Sequence, residues 1–140
     1  MLAVWGVLRG GGDGILSAEW SEMDFLVVDD DKTFRDATAF LIEDEKHKAR
    51  GVSSQSEALD ALKNGKFDAI LLDVNLGREN GLKVLAEIQQ AHPGQRVVMF
   101  TAAANVKLAV EAMRQGAVDF LEKPFRRENF QEVVARLQAG

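Results

Sequence analysis

The chain of 140 residues contains no cysteine. Disulfide bonds, thiolate zinc sites and cysteine nucleophiles are therefore excluded together. A chain that cannot form disulfides suits a reducing compartment, and for this reason we expect a cytoplasmic protein.

Long apolar runs and an excess of positive charge are also missing. The first eight residues, MLAVWGVL, are apolar, but RGGGDG follows at once, far short of the roughly 20 residues that span a bilayer. A secretion signal carries its basic residue before the apolar stretch, whereas Arg9 follows it. Seventeen basic against 22 acidic side chains give a net charge of −5, the wrong sign for a nucleic-acid or anionic-lipid surface. We expect no membrane contact and no direct binding of nucleic acid.

The composition, 46% hydrophobic and 28% charged, fits one domain that is large enough to bury a core. Because Met23 stands directly before the first strand-like run, we predict a domain over residues 23–140 and a mobile N-terminal extension over residues 1–22. An upstream start or a vector-derived remnant explains such an extension better than a fold element does.

Five short apolar or β-branched runs predict strands, and helical spacing recurs between them. Ser54 and Glu57 form a capping-box signature, and Gly65 and Gly116 stand where helices commonly stop. Apolar side chains at i, i+3, i+4 and i+7 predict helix faces that pack on a sheet. The predicted strands are FLVV (25–28), ARGV (49–52), AILL (69–72), VVMF (97–100) and AVDFL (117–121); the predicted helices lie near 32–44, after Ser54, near 81–91, over Val106, Ala109, Val110 and Met113, and over Phe130, Val133, Val134 and Leu137.

Strands that alternate with helices five times over predict a doubly wound α/β fold, with a five-stranded parallel sheet covered on both faces. The polar ARGV run suits an edge strand, whereas the uniformly apolar runs suit the buried centre. Because doubly wound sheets bind ligands beyond the carboxyl ends of their strands, functional residues should directly follow each run.

Carboxylates, a hydroxyl and an ammonium group stand at those strand ends. No histidine occupies any of these positions, so a serine triad is excluded, and the set does not suit hydride transfer. Magnesium prefers oxygen ligands, a carboxylate can attack phosphorus, and a lysine with a hydroxyl can stabilise phosphoryl charge. The set therefore predicts magnesium-assisted phosphoryl transfer. Its members are Asp29, Asp30 and Asp31 after the first run, Asp73 after the third, Thr101 after the fourth and Lys123 after the fifth.

Some of these residues have a simpler interpretation when each is taken alone. Asp31 and Thr101 could each cap the helix that follows, and Lys123 could be a solvated charge. Their joint placement is what favours function. Away from the strand ends we predict ordinary surface residues at His47, His92, Arg126 and Arg127.

The stretches VVDDD, LLDVNLGRENG, VVMFTAAA and GAVDFLEKPF, in this order and at this spacing, resemble the response regulator receiver domain, the phospho-accepting half of two-component signalling. The resemblance implies a flavodoxin-like (βα)5 fold with strand order 2-1-3-4-5 and a cis peptide bond before Pro124. It also implies Mg²⁺ as cofactor and a sensor histidine kinase or phosphotransfer protein as the phosphoryl donor.

The same resemblance assigns a role to each matching residue. The phosphorylated state would be relayed to the face formed by the fourth helix and the fifth strand. A homodimer through the face of the fourth helix, the fifth strand and the fifth helix is also possible. The chain would catalyse only its own phosphorylation and dephosphorylation, so we do not expect a metabolic enzyme. The implied roles are phosphorylation at Asp73; metal binding by Asp29, Asp30, Asp73 and the backbone carbonyl of Asn75; catalysis by Lys123 and Thr101; and switching by Thr101 and Phe120.

Three features depart from the family's usual pattern. Gly77 stands where many receivers have proline, so the loop over the site is expected to be more mobile. Ala103 replaces a larger polar residue, which leaves the lifetime of the phosphorylated state open. No effector domain follows Gly140, so the chain either is a piece of a longer transcription regulator, which we expect, or signals by contact alone.

Two rival functions remain at this point. DDDKT also fits the D-x-D-x-T pattern of haloacid-dehalogenase-type phosphatases, with Asp29 as nucleophile and Asp31 as acid or base. That family needs a further acidic pair at a later strand end, which is absent here, and it would leave Asp73 without a role. A binding module that never accepts phosphate would have lost one of the key residues, and none is lost.

Overall fold

Parallel pairing of five short strands builds the centre of the molecule. The structure is a computed structural model that describes residues 21–102 and 105–139. Our predictions for residues 1–20, for Ala103 and for Gly140 lie outside the described residues. Strands β1 to β5 are Asp24–Val28, Lys48–Val52, Ala69–Asp73, Val97–Thr101 and Asp119–Glu122, and helices α1 to α5 are Lys32–Asp44, Gln55–Asn64, Gly81–Ala91, Val106–Arg114 and Arg127–Ala139.

The strands lie in the order β2-β1-β3-β4-β5, and every neighbouring pair is parallel. The predicted doubly wound fold and its strand order are therefore confirmed. Strand β2 is mostly exposed and lies at one edge, as its polar sequence predicts. Strand β5 begins at Asp119, two residues later than predicted. Within the described ranges, no helix has the length and apolar character that crossing a membrane requires.

Two apolar layers cover the two faces of the sheet. In β1, Phe25 and Val27 point towards α1 and α5, whereas Leu26 and Val28 point towards α2, α3 and α4. Because successive side chains of a strand alternate between faces, a strand that is covered on both sides must be apolar throughout. This requirement explains the uninterrupted apolar runs of β1, β3 and β4.

Local hydrogen bonds define where the helices begin. Ser54 Oγ accepts from the backbone N–H of Glu57 at 3.2 Å, and Glu57 Oε1 accepts from the N–H of Ser53 at 2.7 Å. Asp31 caps α1 in the same way, because its Oδ1 accepts from the N–H of Phe34 at 3.2 Å. Both caps satisfy N–H groups that have no acceptor within their own helix. The simpler interpretation of Asp31 is therefore correct.

Helix α4 does not pack as its apolar spacing predicted. Val106 is 81% exposed, and Val110 and Met113 are about half exposed, so this stripe faces solvent. The face that contacts the core carries Leu108 and the fully buried Ala112 instead. The helix has two apolar faces, and helical periodicity alone does not say which of them the sheet covers.

One further surface prediction is wrong. His47 is 5% exposed, its Nδ1 accepts from the N–H of Met23 at 2.9 Å, and its ring packs edge-on against Phe25. Its partners lie far away in sequence, so the local polar surroundings were a poor guide. Arg127 is exposed as predicted, and its guanidinium also forms surface ion pairs with Asp44 at 2.9 Å and with Glu45.

A short antiparallel ribbon follows β3. Asn75–Leu76 pairs with Glu79–Asn80, and Gly77 with Arg78 forms the two-residue turn between them. Gly77 has φ = 63°, the left-handed value that a type II′ hairpin turn requires at its first central position and that proline cannot adopt. We call this element the Asp73 ribbon. The loop over the site is thus a hydrogen-bonded hairpin, and its greater mobility stays a prediction.

Candidate functional site

The carboxyl ends of four strands bring the predicted site residues to one edge of the sheet. Asp29 directly follows β1, Asp73 ends β3, Thr101 ends β4 and Lys123 directly follows β5. Parallel pairing in register places these ends side by side, because each strand begins at the opposite edge.

Three carboxylates form a cluster at this edge. Asp29, Asp30 and Asp73 each offer one oxygen, and these oxygens all lie within 4.8 Å of one another. Asp29 is fully buried, Asp73 is 4% exposed, and Asp30 is open to solvent. Since like charges at this distance repel, the cluster needs a cation to compensate it.

Lys123 supplies one such cation. Its Nζ lies 2.8 Å from Asp29 Oδ2 and 2.8 Å from Asp73 Oδ2, and only 11% of its side chain is exposed. The ammonium group also lies 4.2 Å from the ring centroid of Phe34 and 5.0 Å from that of Phe100, within cation–π range. The peptide bond between Lys123 and Pro124 is cis, as the resemblance implies.

Burial and pairing shift the acidity of this pair. Burial raises the pKa of the Asp29 carboxyl above its usual range, although the contact with Lys123 acts in the opposite direction. Burial alone would lower the pKa of Lys123, but its contacts with Asp29 and Asp73 outweigh burial and raise the pKa. The ammonium group therefore stays charged at neutral pH.

The cluster can also hold a divalent metal ion. Asp29 Oδ1 accepts from the N–H of Asp31 at 2.9 Å, whereas Asp29 Oδ2 is buried and has the ion pair with Lys123 but no well-formed hydrogen bond. A buried carboxylate oxygen without a well-formed hydrogen bond is suited to act as a metal ligand. All the possible ligand atoms are carboxylate oxygens, and the exposed Asp30 leaves the cluster accessible to water. Both properties fit magnesium, which prefers oxygen ligands and keeps several of its bound waters.

Of the two predicted switch residues, Thr101 lies at this edge, and Phe120 lies two residues before the end of β5. Thr101 is fully buried, and its carbonyl accepts from the N–H of Lys123 at 2.9 Å. Phe120 of β5 lies opposite Met99 of β4. Its half-buried ring packs against the apolar layer that contacts α2, α3 and α4. Their switching roles, the catalytic role of Thr101 and the metal-binding role of the Asn75 carbonyl stay predictions.

Two glycines allow the backbone to approach the site closely. A Cβ on Gly77 would lie 3.1 Å from Asp30 Oδ2. A Cβ on Gly81, the first residue of α3, would lie 2.2 Å from the carbonyl oxygen of Asp73, which is closer than atoms can pack. Gly81 was not among the predicted site residues; its signal in the sequence was a glycine inside the LLDVNLGRENG stretch, where α3 begins.

Sequence reasoning missed two more side chains at this edge. The Phe34 ring lies beneath Lys123, with its centroid 4.2 Å from Nζ. Arg35 reaches back along α1, and its Nη1 donates to the carbonyl of Asp29 at 2.7 Å. Its stem lies against Gly51, where an added Cβ would lie 3.0 Å from Cγ. Arg35 thereby holds the backbone that carries the first two carboxylates.

Known proteins match this chain along most of its length. The protein-family model of the response regulator receiver domain matches residues 25–135 of the chain. The alginate biosynthesis transcriptional regulatory protein AlgB of Pseudomonas aeruginosa is 38% identical over 111 residues, which are 79% of this chain and 25% of that protein. The chain thus spans about a quarter of the length of the curated relatives that it matches.

Solved structures agree in fold. The receiver domain of NtrX from Brucella abortus is 38% identical, with a TM-score of 0.78 over 83% of this chain and 98% of that one. A response regulator protein from Burkholderia pseudomallei, crystallised with a phosphorylated aspartic acid, a calcium ion and citrate, is 30% identical, with a TM-score of 0.72 over 82% of this chain and 72% of that one.

Proposed function

This chain belongs to the response regulator receiver domain family, and we propose that it is a phosphorylation-controlled switch whose acceptor is Asp73. One observation carries the proposal: the ammonium group of Lys123 lies 2.8 Å from both Asp29 and Asp73, within a cluster of three carboxylates. A cation at this position can contact the oxygens of a phosphoryl group on Asp73. Family membership also removes the reason to assign Asp29 and Asp31 to a phosphatase.

The transfer itself requires a nucleophile and charge neutralisation. A carboxylate oxygen of Asp73 forms the new bond to phosphorus, while the bond from phosphorus to the histidine nitrogen of a kinase or phosphotransfer protein breaks and its electron pair stays on that nitrogen. Lys123 neutralises charge on the phosphoryl oxygens during transfer and in the acyl phosphate. The chain turns over no metabolite, because Asp73 is itself the group that is modified.

Magnesium is the cofactor that we assign to this reaction. Asp29, Asp30 and Asp73, together with the carbonyl of Asn75, would hold the ion. When bound, it neutralises charge on the carboxylates and on the phosphoryl oxygens. The all-oxygen cluster and the buried Asp29 oxygen without a well-formed hydrogen bond support this assignment. The calcium ion and phosphorylated aspartic acid in the Burkholderia pseudomallei relative also support it.

The output would pass through the exposed side of α4. Thr101 and Phe120 would relay the state of Asp73 towards this side, because the Thr101 carbonyl bonds to the N–H of Lys123 and Phe120 lies one strand further on. The exposed stripe of Val106, Val110 and Met113 supports a contact surface here, for an effector domain or for a second copy in a homodimer.

The relatives suggest what the switch controls. AlgB is named a transcriptional regulatory protein, and this chain matches about a quarter of it. We therefore propose that phosphorylation controls transcription through an effector domain outside this chain, in the cytoplasm. The negative net charge argues against direct DNA contact by this chain itself.

Mass spectrometry after incubation with acetyl phosphate and magnesium tests the acceptor. The wild-type chain should gain one phosphoryl group, and Asp73→Ala should gain none. Asp60→Ala is the matched control, because Asp60 is an exposed aspartate on α2, away from the site, and its variant should be labelled like the wild type. Unchanged labelling of Asp73→Ala would exclude Asp73 as the acceptor.

A further inference from the structure

We propose that Glu79 is a positioning residue for the carboxylate cluster, which it serves by fastening the Asp73 ribbon to the start of α2. The inference rests on the proposed magnesium site and adds a residue that does not touch the metal. Glu79 lies in the second arm of the ribbon, directly opposite Leu76 of the first arm.

The fastening is a hydrogen bond between two distant segments. Glu79 Oε1 accepts from the backbone N–H of Gln55 at 2.9 Å, and 24 residues separate the two in sequence. Gln55 is the first residue of α2, so this N–H has no acceptor within its own helix. A carboxylate at a helix N-terminus is also favoured by the helix dipole. The bond thus holds the ribbon to a fixed part of the fold.

The ribbon in turn contacts two of the three carboxylates. The N–H of Asn75 donates to Asp73 Oδ1 at 3.0 Å. The turn at Gly77 is adjacent to Asp30, because an added Cβ would lie 3.1 Å from its Oδ2. A shift of the ribbon therefore moves the groups beside Asp73 and Asp30 together. The bond from Glu79 to Gln55 limits that shift.

A purely structural role for Glu79 is the alternative. Leu76 is 3% exposed and anchors the first arm in the core, so the ribbon is also held in place without Glu79. Glu79 would then simply cap α2, as Glu57 does by accepting from the N–H of Ser53 at 2.7 Å. Among the described residues, Glu57 forms no hydrogen bond with the ribbon. It is therefore a matched control.

The experiment compares Glu79→Ala, Glu79→Gln and Glu57→Ala in the otherwise complete chain. Magnesium chloride is titrated into metal-free protein, and the dissociation constant is read from backbone amide NMR shifts. Because removal of partners that orient metal ligands costs about 10-fold or more in affinity, Glu79→Ala should weaken magnesium binding roughly 10-fold. Glu79→Gln should retain most of the affinity, since its amide oxygen can still accept from Gln55. Glu57→Ala should leave the affinity unchanged while it lowers the urea midpoint.

A second readout does not involve metal. In chelator, amide hydrogen exchange across the Asp73 ribbon should be faster in Glu79→Ala than in the wild type, and unchanged in Glu57→Ala. If Glu79→Ala does not fold, Glu79→Asp replaces it, because it retains the charge but is one methylene too short to reach Gln55, and the same results are expected.

Two outcomes would overturn the inference. Unchanged magnesium affinity in Glu79→Ala would show that the bond does not position the cluster. Equal weakening in Glu57→Ala would show that the effect passes through α2 generally. If the wild type itself binds no magnesium, the proposed function fails, and ribbon exchange in chelator decides the inference alone: equal exchange rates in Glu79→Ala and wild type overturn it, and faster exchange in Glu79→Ala supports it.

Discussion

At the carboxyl edge of the sheet Asp29 is buried beside an ammonium group, whereas at the amino edge His47 is buried beside aromatic rings. Burial disfavours the charged form of both side chains, so it raises the pKa of Asp29 and lowers the pKa of His47. The surroundings differ, however. Asp29 Oδ2 has the ion pair with Lys123 but no well-formed hydrogen bond, whereas His47 Nδ1 accepts from the N–H of Met23 at 2.9 Å.

This difference separates a functional buried group from a structural one. Burial of a titratable side chain is common to both edges, so burial alone does not indicate function. What distinguishes the carboxyl edge is a set of like charges, held together next to solvent and balanced by a single cation. Such an arrangement is unfavourable in the absence of a ligand and is expected where binding compensates it.

Removal of Lys123 should give the largest effect. Lys123→Met keeps an apolar side chain over the rings of Phe34 and Phe100 but leaves Asp29 and Asp73 without their cation. Because removing one partner leaves buried charge uncompensated, we expect the free energy of unfolding to fall by about 3 kcal/mol. Urea unfolding in chelator at neutral pH measures the change.

The control for this substitution lies on α4. Lys107 is exposed there, so Lys107→Met should change the free energy of unfolding by less than about 0.5 kcal/mol. Lys123→Met should also regain stability as the pH falls, because Asp29, with its raised pKa, becomes neutral in the folded protein before it does in the unfolded chain. Equal urea midpoints for Lys123→Met and the wild type would contradict the interpretation of the carboxyl edge.

The amino edge should respond to pH in the opposite direction. Burial lowers the pKa of His47 below its usual 6.5, and this outweighs the nearby carboxylates of Glu45, Glu22 and Asp68, which raise it. The unfolded chain therefore binds a proton at higher pH than the folded protein does. The free energy of unfolding should fall as the pH drops below 6.5, by at most about 1.4 kcal/mol per pH unit for this group.

His47→Asn tests this assignment. The Asn side-chain oxygen can accept from the N–H of Met23 in place of Nδ1 but binds no proton in this range. The variant should therefore lose the part of the pH dependence that His47 contributes between neutral pH and pH 5, as followed by urea unfolding. His92→Asn is the control, and it should keep the dependence of the wild type. A variant at His47 that keeps the full dependence would assign it to other groups.

Much of the fold and of the site is predictable from sequence because both depend on strand ends. A parallel strand that is covered on both faces needs an uninterrupted apolar run, and such runs located β1, β3 and β4 to within a residue. The residues that come just after each run must then lie at the carboxyl edge. For this reason Asp29, Asp73 and Lys123 were correctly predicted to be neighbours.

What the sequence could not predict depends on distant partners. The apolar stripe of α4 gave no sign of which face the sheet covers, because Leu108 and Ala112 offer a second apolar face. His47 was assigned to the surface because its neighbours in sequence are polar, whereas its contacts are with Phe25 and Met23. The Asp73 ribbon was missed because its pairing occupies only two residues in each arm.

Deletion of residues 1–20 should give the smallest effect. In the part of the chain that the structure describes, the first buried residue at the amino edge is Met23, whose side chain is 5% exposed and whose carbonyl accepts from the N–H of Lys48 at 2.9 Å. Ser21 and Glu22 are exposed, and their contacts with Gln138 and Lys48 lie at the surface, where such contacts contribute little to stability.

In the shortened chain the backbone N–H of Met23 is still part of a peptide bond, so its hydrogen bond to His47 remains. We therefore expect the free energy of unfolding to change by less than about 0.5 kcal/mol, with the pH dependence assigned to His47 unchanged. A marked loss of stability would mean that Trp5 or Trp20 packs on the domain, and a changed pH dependence would mean that the deleted segment covers the amino edge.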